Sequence, residues 1–294
     1  MSTASPSLPG VAARPLLFAR LVKIEHSAYA LPFAYVGAVL AELRVPSWSA
    51  LVWITVAMIA ARSAAMALNR LIDAGLDARN PRTAGRELPA GTMRRGEVVG
   101  FTVVSLAVLV LATFFLSPPT RYLWPIVVAA FVAYPFAKRV TWFCHYALGL
   151  TDGLAPAAAW VAVGGSVSWP PVLLFVAVGL WVGGFDVIYA IFDLEFDRRE
   201  GLHSIPVAVG RRWALRIAAL SHLGAVGLLA AVGVLLDLGW VYALGCVVVA
   251  ALLAWSHADI HRRGLERVGM RFMTVNGVVG IVYGVLTVVA VVMG

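Results

Sequence analysis

The sequence predicts an all-α polytopic membrane protein: one bundle of nine transmembrane helices, with polar loops capping its cytoplasmic side. Three observations predict this. Of the 294 residues, 61% are hydrophobic and 13% charged, whereas a soluble domain carries about a quarter charged residues. Nine apolar stretches meet or approach the roughly 20 residues that a bilayer-spanning helix needs. The basic residues gather in alternate connections, as they do in cytoplasmic loops.

Residues 1–20 begin with a Ser-, Pro- and Ala-rich stretch that reads as a disordered tail. It lacks the basic segment and apolar core of a signal peptide. Residues 21–294 form a single membrane domain. Spans are expected at 27–44, 48–68, 97–116, 121–137, 145–164, 171–192, 213–236, 238–255 and 273–293. Lipid cannot satisfy backbone polar groups, so these stretches are helices; a barrel would show short alternating strands. With nine spans, the clusters around Arg20, Arg82, Lys138, Arg198 and Arg262 fall on one side, and the other side keeps only Arg44 and Arg121. That asymmetry places the N-terminus in the cytoplasm and the C-terminus outside the plasma (cell inner) membrane. The net charge of +8 is assigned to these loops, and no basic patch with stacking aromatics calls for nucleic acid. Cys144 and Cys246 have no spacing that suggests a disulfide framework or a zinc site.

Chemistry concentrates in two stripes. Asn69, Asp73 and Asp77 are spaced i, i+4, i+8; each step of four turns a helix by only about 40°, so all three share a face. Arg62 lies two turns earlier, close to that face. Asp186, Asp193 and Asp197 are separated by seven and four residues, again a shared face on a regular helix, with Tyr189 between them. A lone Asp at a helix end is ordinarily a solvated interface residue. Two stripes on one membrane side put several carboxylates together, and without matching cations they would repel. Mg²⁺ resolves the conflict, because it takes carboxylate oxygens and completes its octahedron with phosphate. Two such clusters facing each other describe a diphosphate clamp. Arg82, Arg86, Lys138, Arg139 and His203 lie in the same loops and could neutralise the remaining phosphate charge.

Asp152 lies inside the fifth span, where a carboxylate is a substrate contact, the partner of Arg62 or Lys138, or a residue near the interface. Glu25 and His26 open the first span, as interfacial residues or substrate contacts. His222 reads as a hydrogen-bonded core histidine. The fragment Asp77-Ala78-Arg79 resembles part of the membrane CDP-alcohol phosphotransferase pattern, but the rest of that pattern is missing.

At the two stripes the sequence resembles the UbiA superfamily of intramembrane aromatic prenyltransferases, over about Val22 to Gly294. Asn69, Asp73 and Asp77 look like the first family motif, with Arg70 where many members carry a further Asp. Asp186, Tyr189, Ala190, Asp193 and Asp197 look like the second. His203 stands where a lysine is common. The segments Val22–Tyr35, NPRTAGRELPAG and YPFAKRVTWFCHYALGL resemble bacterial enzymes of quinone biosynthesis. These are the 4-hydroxybenzoate polyprenyltransferases and the prenyltransferase of the futalosine route to menaquinone; the NPRTAGRELPAG segment, with the KIEH opening inside Val22–Tyr35, inclines towards the futalosine subgroup. The resemblance implies Mg²⁺-dependent transfer of a polyprenyl group from its diphosphate to an aromatic acid or quinone precursor. It assigns metal binding to Asn69, Asp73, Asp77, Asp186, Asp193 and Asp197, of which Asn69, Asp73, Asp77, Asp193 and Asp197 are the catalytic set. Diphosphate contacts fall to Arg82, Arg86, Lys138, Arg139, His203 and Tyr189. Candidates for the aromatic substrate are Arg62, Asp152, Glu25 and His26. Two alternatives remain open: a sibling transferring to a lipid or haem acceptor, and a membrane carrier.

Overall fold

The computed structural model describes residues 14–22 and 24–294, except the side chains of residues 14, 15, 24–29, 266–274 and 276. The described residues contain no strand. The helices are α1 (Arg14–Leu21), α2 (Ile24–Glu42), α3 (Trp48–Arg79), α4 (Arg95–Thr113), α5 (Trp124–Ala137), α6 (Cys144–Ala162), α7 (Trp169–Ala190), α8 (Leu194–Arg199), α9 (Ile205–Leu235), α10 (Gly239–Arg263) and α11 (Leu265–Met293). A helix lies over every apolar stretch singled out above. By length and composition, α3, α4, the α7–α8 unit, α9 and α10 are long and apolar enough to cross a membrane. The chain closes on itself, because α11 packs against α10 and returns to α2, while α2 lies across α6.

Three local outcomes depart from the periodicity reading. Residues 14–20, expected in the tail, belong to α1: Phe18 stacks on Phe101 with ring centroids 4.8 Å apart, and Leu21 is fully buried. That apolar contact offsets the entropy of ordering the segment; residues 1–13 of the expected tail lie outside the described residues. Helix α3 continues well past residue 68, so the whole first stripe is helical. It stops at Asn80, whose extended backbone (φ −89°, ψ 117°) is the conformation imposed on a residue before proline. The second stripe is not on one helix. Asp186 lies in α7, Asp193 ends a tight 3₁₀ turn (Ile191–Asp193), and Asp197 lies in α8. The change of winding invalidates a face count made at 3.6 residues per turn.

The α6–α7 pair is built by glycine. Gly149 and Gly153 on α6, and Gly179 and Gly183 on α7, each sit four residues apart. A Cβ at Gly149 would come within 2.1 Å of the Gly179 carbonyl oxygen, and one at Gly153 within 2.3 Å of the Phe175 carbonyl oxygen. Lipid gives apolar helices little reason to associate, so close backbone approach and its dispersion contacts do that work. Gly37 plays the same part between α2 and α6, where a Cβ would lie 2.1 Å from the Pro156 carbonyl oxygen. The α6–α7 crossing sets the N-terminal turn of α6 beside the C-terminal end of α7, where the second stripe begins. Gly149→Val should therefore force the two helices apart, at a cost of about 1–3 kcal/mol. A thermal melt of the purified protein in lipid nanodiscs should show the lower midpoint; an unchanged midpoint would mean that the crossing is not tightly packed.

Candidate active site at the polar end of the bundle

The first stripe is held by basic side chains from two segments. Asp73, whose side chain is 4% exposed, lies 2.5 Å from Lys138 Nζ through Oδ2 and 3.0 Å from Arg139 Nη2 through Oδ1. Asn69 Nδ2 donates to the same Oδ2 at 3.1 Å. Arg139 also donates to the Ile72 carbonyl at 3.2 Å, which fixes the end of α5 against α3. One turn on, Asp77 accepts from Arg86 Nη1 with both oxygens, at 2.7 and 2.8 Å. Thr83 donates to the Asp77 carbonyl at 3.0 Å, so the loop after α3 folds back over the stripe.

That loop also reaches the second stripe. Arg82 grips Asp193 with two donors, through Nε at 2.8 Å and through Nη2, and Asn80 Nδ2 donates to Asp193 Oδ1 at 3.1 Å. The Asp193 hydrogen bond holds the Arg82 pKa above the ordinary guanidinium value, against the opposing pull of burial. Arg79 Nε donates to Glu200 Oε2 at 2.8 Å just beyond. Asp186 is held from another direction: its Oδ2 lies 2.7 Å from Nδ1 of His145 on α6.

These pairings correct one expectation. Asp73, Asp77 and Asp193 do not converge without cations; each has an ion pair. Their burial requires this, because an uncompensated charge away from water costs several kcal/mol. Among the described residues, no three His, Cys, Asp or Glu side chains group as the ligands of one ion. The donor chemistry nonetheless suits a hard divalent cation, which prefers carboxylate oxygens and shares its shell with phosphate.

Next to the stripes an apolar cavity of about 360 Å³ runs between α2, α3, α4, α5, α6 and α7. Its α3 wall extends from Ile54 to Met66, the latter one turn before Asn69. At 1.5 Å per residue that wall is about 18 Å long. Ala57, Ala61 and Ala65 of α3 and Ala155, Ala158 and Ala162 of α6 line it, and these small side chains leave the space open. The charged side chains among its described lining residues are Arg62 and Asp152. They interact electrostatically, and Arg62 Nε is buried without a hydrogen-bond partner.

Other expected site residues are placed differently. Tyr189 is half-buried, with its ring 6.3 Å from that of Phe192. His203 has an exposed side chain and contributes backbone: its N–H donates to the Lys138 carbonyl at 2.7 Å. Glu25 and His26 lie in α2, but their side chains fall outside the described residues. Asp197 lies in α8, eight residues before the start of α9. His222 is a core histidine, bonded to the Trp181 carbonyl at 3.2 Å and to His257 at 2.8 Å. Sequence reasoning passed over His145 and Asn80. The histidine opens an apolar helix just after Lys138 and Arg139, and that juxtaposition was its one available signal.

Comparison with known proteins agrees with this arrangement. The profile of the UbiA prenyltransferase family matches residues 30–278. The chain is 30% identical over 238 residues to a 4-hydroxybenzoate octaprenyltransferase of Aliivibrio fischeri strain MJ11, covering 81% of this chain and 83% of that protein. The apo structure of a UbiA homologue from Aeropyrum pernix K1 superposes with a TM-score of 0.82 at 31% identity, over 90% of this chain and 98% of that one. A UbiA homologue from Archaeoglobus fulgidus, solved with GPP and Mg²⁺, shares the fold at 16% identity, with a TM-score of 0.71 and coverage of 94% and 99%.

The shared grip on Asp73 makes a quantitative prediction. Removing one cation leaves the other in place, so Lys138→Met or Arg139→Met alone should cost about 2 kcal/mol, the scale of one hydrogen bond to a charged group. The double substitution strands a buried carboxylate and should cost more than the sum. A double-mutant cycle by chemical denaturation measures this; strict additivity would show that the two cations do not share the charge.

Proposed function

Because the chain belongs to the UbiA prenyltransferase family, and so is a membrane-embedded prenyltransferase, we propose that it transfers a polyprenyl group from polyprenyl diphosphate to an aromatic acid of quinone biosynthesis. The observation that carries this reading is the cavity. It is apolar along its length, ends beside the acidic stripes, and contains an unpartnered Arg62 Nε together with one carboxylate, Asp152, among its described lining residues. A buried guanidinium donor without a partner suits an anionic ligand. An aromatic acid offers its carboxylate to Arg62 and its hydroxyl proton to Asp152.

The diphosphate lies over the two stripes in this reading. Mg²⁺, held by Asn69, Asp73, Asp77, Asp186, Asp193 and Asp197, supplies Lewis-acid stabilisation of the leaving diphosphate. Arg82, Arg86, Lys138 and Arg139 exchange their carboxylate partners for phosphate oxygens and stabilise the negative charge that develops there. The alanine-lined wall receives the prenyl chain and excludes water, which would otherwise capture the allylic carbon as prenol. The ring carbon ortho to the hydroxyl forms the new bond to that carbon as its C–O bond breaks, and the displaced ring proton leaves to a base. Asp152 is the carboxylate placed to receive it.

The finer topology is part of the same proposal: nine crossings within residues 21–294, with the stripes at the cytoplasmic face of the plasma membrane. The basic loops support it through the positive-inside rule. The name of the Aliivibrio fischeri relative and the resemblance of the NPRTAGRELPAG segment support two acceptors, 4-hydroxybenzoate and the futalosine-route naphthoate.

The test is a nanodisc assay with labelled polyprenyl diphosphate, with Mg²⁺ or EDTA, offering 4-hydroxybenzoate and 1,4-dihydroxy-6-naphthoate in parallel. Mg²⁺-dependent prenylation of one acceptor is expected. No product and no diphosphate release with either would overturn the aromatic assignment. Asp73→Asn and Asp193→Asn should each lower turnover about a hundredfold or more. Arg62→Leu should instead raise the acceptor KM about tenfold, a loss of about 1.4 kcal/mol of binding, with the prenyl diphosphate KM unchanged.

A further inference from the structure

We infer that His145 is a positioning residue that orients Asp186 for the metal–diphosphate site through a fixed neutral tautomer. The inference rests on the proposed assignment of Asp186 to that site. His145, 2% exposed, is the second residue of α6. Its two ring nitrogens meet different kinds of partner. Nε2 lies 3.2 Å from the backbone N–H of Ile205, and an N–H can only donate, so Nε2 presents its lone pair. The ring proton therefore sits on Nδ1 and is donated to Asp186 Oδ2 at 2.7 Å.

Both bonds serve architecture that the site needs. Ile205 is the first residue of α9, and its N–H is one of the donors a helix leaves unsatisfied at its start. The Ser204 hydroxyl takes a second, from Val207 at 3.4 Å. His145 thus ties the end of α7 to the start of α9. The Asp186 side chain remains 35% exposed, and Oδ1 stays outside the histidine bond.

The same stretch of chain registers both stripes. Lys138 and Arg139 grip Asp73, and six residues later His145 grips Asp186. Between them, the stretch is stitched to the segment before α9: His203 N–H donates to the Lys138 carbonyl, and Cys144 Sγ–H donates to the His203 carbonyl at 3.3 Å. A carboxylate oriented by such a partner binds metal more tightly than a mobile one, typically by tenfold or more.

The experiment uses the full chain in nanodiscs as wild type, His145→Gln, His145→Leu and Asp186→Asn. Mn²⁺ occupancy is titrated by electron paramagnetic resonance with an unreactive prenyl thiolodiphosphate present, and kcat and both KM values are measured alongside. Gln can donate to Asp186 and accept from Ile205, so it should stay close to wild type. Leu can do neither and should raise the half-saturating Mn²⁺ about tenfold, lowering kcat without changing the acceptor KM. Wild-type occupancy and turnover in His145→Leu, with both lost in Asp186→Asn, would overturn the positioning role alone. Wild-type behaviour of Asp186→Asn would remove the assignment on which the inference rests. Independently of any variant's folding, ¹⁵N spectra of histidine-labelled wild type should show a buried Nδ1–H imidazole; an Nε2–H tautomer or an imidazolium at His145 would also overturn the inference.

Discussion

Charge neutrality inside a low-dielectric bundle is the constraint on which this structure turns. Asp73 sits on a largely apolar helix, with almost no access to water. Such a carboxylate persists only with close counter-charges. Supplying them draws the C-terminal end of α5 onto α3 through Lys138 and Arg139, and the need of Asp77 and Asp193 draws the 80–94 loop across the bundle through Arg86 and Arg82. The polar end is therefore assembled by its acids. Farther along the helices, glycine contacts and apolar packing take over.

The pairs are asymmetric in a way that suits exchange. In each, the carboxylate is the more buried partner and the cation the more accessible: the Arg82 side chain is 53% exposed and that of Asp193 17%. Half-exposed cations give up an ion pair at modest cost, because water screens the separated charge. In the proposed reaction the arginines turn to phosphate while the carboxylates stay fixed. Adding a multiply charged anion to a nearly balanced cluster then calls for further positive charge, which is the physical case for a divalent cation. The fixed side of this arrangement is where His145 acts, since its two hydrogen bonds involve a backbone donor and a carboxylate that stays in place.

Much of this was legible in the residues. Apolar length marked where the helices lie, because lipid forces each segment to satisfy its own backbone. The 69–73–77 spacing marked a real helical face, since α3 runs unbroken through it. Arg62 and Asp152 stood out as charges inside spans, and both line the cavity. The second stripe was read as one regular helical face, which it is not, because nothing in Ile191–Asp193 announces a 3₁₀ turn. The tail was read too long by one short helix, which exists only because Phe18 and Leu21 find partners on α3 and α4.

Composition and periodicity fixed the class of molecule, its helices and the residues available for chemistry, since those follow from local rules: hydrophobic length, helical angle and charge placement. Pairing was decided by the tertiary structure alone. Asp193 meets Arg82 and Asn80 across more than a hundred residues, Asp73 meets Lys138 across sixty-five, and Asp186 meets a histidine forty-one residues before it. No local rule encodes such contacts. They arise when glycine-mediated helix crossings bring distant segments within hydrogen-bond reach and burial then obliges each charge to find its counterpart.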